Sequence, residues 1–81
     1  MNQELIKYLV THEIEILRPI LNKKDGDENV GHCLKTKDMA NYQVDFDNLV
    51  FYLKNIDKNY YAVDGYNFKD SIHNIYIHKI D

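Results

Sequence analysis

A single cysteine, Cys33, excludes an internal disulfide, so nothing in the chain asks for an oxidising compartment. No uninterrupted apolar run exceeds Leu49 to Leu53, far short of the roughly 20 residues a bilayer-spanning helix needs. The opening Met-Asn-Gln-Glu-Leu-Ile-Lys-Tyr lacks a basic lead and an apolar block, which predicts no secretory leader and a cytoplasmic location. Glycines are scattered at 26, 31 and 65, so no phosphate-cradling loop can be assembled. Arginine occurs once, as Arg18, and the net charge is −3. That balance argues against nucleic acid gripped through its phosphates, yet it falls short of the dense acidity of a duplex mimic. Tryptophan is absent, and proline appears only as Pro19.

What is present fits one small domain over residues 1–81, because the chain is too short for a second core. Lys, Asn, Ile and Tyr are abundant, a codon signature of an AT-rich genome such as a low-GC bacterium, its phages or plasmids. Ile6, Val10, Ile14 and Leu17, with Leu5, Leu9 and Ile16 beside them, predict a helix from residue 3 to about 16, limited by Pro19. Asp25-Gly26 predicts a hairpin setting Lys23 opposite Glu28, Leu21 opposite Val30 and Leu17 opposite Leu34, with Pro19 facing outward on an edge. A polar link over 35–41 follows.

Asp47-Asn48 predicts a second hairpin. It would set Phe46 against Leu49, Val44 against Phe51 and Tyr42 against Leu53, all on one face. Leu49 to Ile56 then becomes the central strand. The competing reading is a helix capped by Asp45 or Asp47 and carrying Leu49, Leu53 and Ile56. Asp57-Lys58-Asn59 and Asp64-Gly65 read as further turns, the first setting Leu53 opposite Val63. Ile75 to Lys79 reads as a last strand, against a helix over 71–80. The sum is an α+β fold, an N-terminal helix packed on a small antiparallel sheet of hairpins. The predicted core is Leu9, Ile14, Leu17, Val44, Phe46, Leu49, Phe51, Leu53, Val63 and Phe68. No internal repeat is legible.

No arrangement of reactive residues makes an active site, which predicts a non-enzymatic protein with no cofactor and no metal. His32-Cys33 would point to opposite faces of a strand, so neither could activate the other. His73 and His78 have zinc-like spacing but opposite parity on a strand, and no second pair joins them. Asp25, Asp27 and Asn29 resemble the start of a calcium loop. The pattern fails at Val30, where glycine belongs, and at Thr36, where glutamate belongs.

Six of the seven tyrosines lie from Tyr42 onward. Tyrosine gives rigid contact area with a polar tip and is enriched at binding hot spots. The expected protein-binding residues are Tyr52, Tyr60, Tyr66 and Tyr76, with the acidic tip Asp25, Asp27 and Glu28. The leading expectation is a protein-binding module whose partner is another protein, in the manner of a phage- or mobile-element inhibitor or adaptor of a host protein. A sheet edge also offers homodimerisation. The alternatives are a single-strand nucleic-acid binder using the sheet tyrosines, and a small metalloprotein or enzyme using His12, His32, Cys33, His73 or His78.

Overall fold

The computed structural model describes residues 1–80 and is an α+β fold. Helix α1 (Gln3–Thr11) opens at Asn2, whose Oδ1 accepts from the Leu5 N–H at 2.8 Å, a side-chain cap. It ends at Thr11, not near residue 16. There Glu13 turns left-handed, at φ 56°, and the Glu-Ile-Glu-Ile alternation takes up the period of a strand. Strand β1 (Ile14–Asn22) follows, and the expected helical stripe over Ile14, Ile16 and Leu17 is overturned.

The Asp25-Gly26 hairpin forms, joining β1 to β2 (Glu28–Thr36). Its turn is longer than two residues: a short 3₁₀ segment at Lys23–Asp25, then Gly26 at φ 72°. The register therefore differs from the expected one. Asn22 meets Glu28, Leu21 meets Asn29, and Ile16 meets Leu34, with irregularities between Ile16 and Arg18 and between Ile20 and Leu21. Pro19 stands exposed on this edge strand, as expected.

Residues 42–55 are a helix, α2 (Tyr42–Asn55), so the Asp47-Asn48 hairpin and the central strand Leu49–Ile56 are both overturned. The proposed Asp45 or Asp47 cap is not used either. Asp38 instead starts a 3₁₀ turn by accepting from Ala40 N–H at 3.0 Å, and this leads into the helix. Tyr42, Phe46, Leu49 and Leu53 recur at spacings of four, three and four, which is one helical face. They pack in the core, while Val44 and Phe51, their supposed cross-strand partners, are exposed.

The segment Asp57-Lys58-Asn59 links α2 to β3 (Tyr60–Asn67) instead of closing two strands, so Leu53 does not pair with Val63. Asp64-Gly65 lies inside β3, not in a turn. Asp64 is occupied by the Tyr42 hydroxyl, and Gly65 leaves room for the Tyr76 ring, which would clash with any Cβ there. The last strand is β4 (Ile72–Lys79), which extends the predicted one and excludes a helix there.

The sheet is antiparallel throughout, ordered β1-β2-β4-β3. Exchanging the first αββ unit with the second returns the same order, so an approximate two-fold axis normal to the sheet passes between β2 and β4. Both helices lie on one face, consistent with dimensions of 37 × 33 × 17 Å for one helical layer on one sheet layer. The core between them holds Leu5, Leu9, Ile14, Leu34, Tyr42, Leu49, Leu53, Tyr60, Ile75 and Ile77. Of the predicted core, Leu9, Ile14, Leu49 and Leu53 are buried and Phe46 is partly so. Leu17, Val44, Phe51, Val63 and Phe68 are exposed, the last at 85%. Each rests on a helical stripe, strand register or turn that does not form.

Candidate functional site

Strand alternation sorts the sheet residues into two faces. Leu34, Ile75, Ile77, Tyr60 and Ala62 face the helices. The register aligns two transverse rows on the other, uncovered face: Arg18–Cys33–Tyr76–Val63 and Ile20–Gly31–His78–Tyr61. An antiparallel sheet with one solvated face normally turns polar residues to water. Here that face carries an apolar and aromatic strip at Val63, Tyr76, Tyr61 and Ile20. Tyr61 and Val63 are half exposed, and Tyr61 stacks on His78 with ring centroids 5.3 Å apart. The Tyr76 ring fills the space where a side chain at Gly65 would stand. Cys33, between Arg18 and Tyr76, is fully buried and lies on the face opposite Leu34.

The second row runs into a polar hollow of about 330 Å³ at the end of the β1–β2 hairpin, lined by Asp25, Glu28, Asn29, Tyr61, His78 and Lys79, among others. Asn29 brings a buried Oδ1 with no hydrogen-bond partner. Acceptors dominate this hollow, although Lys79 tempers its charge. Such a site suits a hydrogen-bond donor carrying positive charge.

The residues expected at a binding face are dispersed. Tyr76 is on the uncovered face, and Asp25 and Glu28 border it through the hollow; Asp27 is exposed beside them at φ 61°. Tyr52 lies on α2, stacked on Tyr8 at 4.2 Å, with Tyr8 in turn against His12. Tyr60 is only 6% exposed and belongs to the core. Tyr66 is on the helix side of β3, against His73 and Phe68. Sequence reasoning passed over Tyr61 and assigned Val63 to the core. The signal was their parity with Tyr76 and His78, readable only once the β3–β4 register is known.

On the helix side, Asp64 accepts from the Tyr42 hydroxyl at 2.5 Å and lies 3.2 Å from His73 Nδ1. Donation from Tyr42 holds the Asp64 carboxyl below the usual carboxylate range, with His73 adding to the effect. Burial, and then the bond to Asp64, pushes the Tyr42 hydroxyl well above its ordinary value. Tyr42 also reaches the Asn74 carbonyl at 3.2 Å, so this cluster pins α2 to β3 and β4. Burial lowers the pKa of His32, which faces the helices near Tyr60. Among the described residues, no three His, Cys, Asp or Glu side chains converge as metal ligands. Among the described residues, no helix is long and apolar enough to cross a membrane.

Comparison with protein-family models, with curated proteins and with solved structures returned no match to this chain.

Proposed function

We propose that this protein is a non-enzymatic protein-binding module that works through its uncovered sheet face. The observation that carries the reading is the continuity of the Tyr76–Val63 and His78–Tyr61 strip with the acceptor-rich hollow of Asp25, Glu28 and Asn29. The complementary partner presents apolar side chains to the strip and a lysine or arginine to the hollow. Two tyrosines on a rigid sheet supply contact area without the ordering cost of a loop. Inhibition or adaptation of a host protein is one use for such a face.

A second reading rests on the same two tyrosines. Tyr61 and Tyr76 occupy adjacent strands of an open sheet, with Arg18 and Lys35 on the same face, an arrangement on which unpaired bases can stack. The acidic hollow would repel phosphate, which ranks this reading second.

The test compares proteins captured by the wild-type chain, by Tyr61→Ser, by Glu28→Lys and by Phe51→Ser, the last altering the exposed side of α2. A stoichiometric protein retained by wild type and Phe51→Ser, and lost with both face variants, supports the first reading. Retention of nucleic acid only, released as salt rises, supports the second. A protein retained equally by all four would place its contact elsewhere and refute both.

A further inference from the structure

The two ends of the sheet are topologically equivalent, one in each αββ unit, yet only one is guarded. Edge strands usually carry devices that block pairing with other chains. Strand β1 has Pro19 and two register irregularities. Strand β3 pairs with β4 without irregularity over its whole length and contains no proline. The N–H of Ile80 donates to the Asn59 carbonyl, so ladder alternation directs the N–H and C=O of Tyr60, Ala62, Asp64 and Tyr66 away from β4, towards the open edge.

Beside the N-terminal half of this edge runs an apolar groove of about 300 Å³, lined chiefly by Val50, Leu53, Lys54, Lys58, Tyr60 and Ala62. At the other end of the same strand stand Tyr66 and Phe68, packed edge to face at 4.7 Å and both exposed. One strand thus carries an apolar groove at one end and an unburied aromatic pair at the other.

We infer that β3 pairs antiparallel with β3 of a second copy about a two-fold axis at Val63. This register sets Tyr60 opposite Tyr66 of the second copy and Ala62 opposite its Asp64. Phe68 of each copy then falls beside Lys58, over the groove of the other. Charge agrees with the pairing. On the groove side of α2, Asp47 and Lys54 lie two turns apart, so a two-fold axis brings Asp47 of one helix towards Lys54 of the other. Val63 meets its own counterpart on the uncovered face. The result is one continuous eight-stranded sheet with the proposed binding face doubled. This interface is built on the outward backbone of β3 and the groove and shares only Val63 and Tyr61 with that face, so either idea can fail alone.

The experiment is sedimentation equilibrium over a concentration series, with folding checked by circular dichroism. Wild type is expected to approach twice the 9.7 kDa chain mass. Ala62→Pro removes an outward N–H and no ladder bond, and should give a folded monomer. Lys54→Glu should weaken association at least tenfold, and Asp47→Lys added to it should restore the dimer. Val63→Cys should form a disulfide between copies under mild oxidation, because non-hydrogen-bonded partners approach to about 4.5 Å between Cα atoms. A monomeric wild type at every concentration overturns the inference. A dimer indifferent to Ala62→Pro and to the charge exchange overturns it as well.

Discussion

Phe51 and Leu49 are two positions apart and have opposite fates. Leu49 is fully buried beneath α2, whereas Phe51 is 65% exposed on its outer side. Leu49→Ala should therefore cost about 2–5 kcal/mol by urea denaturation, while Phe51→Ala should change stability by about 0.5 kcal/mol or less. Equal losses would mean that α2 is rotated from the orientation described.

The Tyr42–Asp64 pair makes a second residue-scale prediction. Tyr42 has a raised pKa in the folded state, so its contribution to stability is full below the unfolded value near 10 and is lost as pH climbs past it. Asp64 has a lowered pKa. Its contribution is full above the unfolded value near 3.9 and is lost as pH falls through the lower folded value. Tyr42→Phe should lower the urea midpoint at neutral pH and flatten both limbs of the stability–pH curve. Parallel curves for the two proteins would show that this hydrogen bond does not couple to folding.

At the scale of elements, legibility followed the strength of local signals. The β1–β2 hairpin was readable because Gly26 must supply a left-handed residue, and φ 72° is where it sits. Gly26→Ala should cost about 1–2 kcal/mol, measurable in the thermal midpoint, since a Cβ is strained there even with open space around it. Helix α2 was misread because its apolar residues satisfy two periods at once: Leu49, Phe51 and Leu53 alternate, while Tyr42, Phe46, Leu49 and Leu53 follow a helical face. The core decides between them, and it accepts the second set. Asn48→Gly separates the cases by sign. Within α2 it should lower the thermal midpoint, because glycine is the poorer helix former, while an Asp-Gly hairpin loop would be stabilised by it. Asp64-Gly65 misled for another reason. The pair has turn chemistry, but its partners, Tyr42 and Tyr76, lie far away in sequence. The apolar strip stayed hidden with it, because Tyr61 and Val63 join Tyr76 only through the register that the false turn would have broken.

At the scale of the whole molecule, the sheet separates its tasks by face. The helix side spends its large apolar residues on the core, and the other side leaves Tyr61, Val63 and Tyr76 accessible. The two αββ units also set the order of assembly in time. Within each unit the hairpin contacts are local, while the units join along β2–β4, from Gly31–His78 to Leu34–Ile75, across half the chain. Closing that seam is the slow, entropically costly event, because distant segments must meet before any contact rewards them. Leu34→Ala and Ile75→Ala should therefore retard refolding in stopped-flow experiments, whereas Tyr66→Ala at the far edge should mainly hasten unfolding. The topology thus predicts that joining the two units, not forming either hairpin, limits the folding rate.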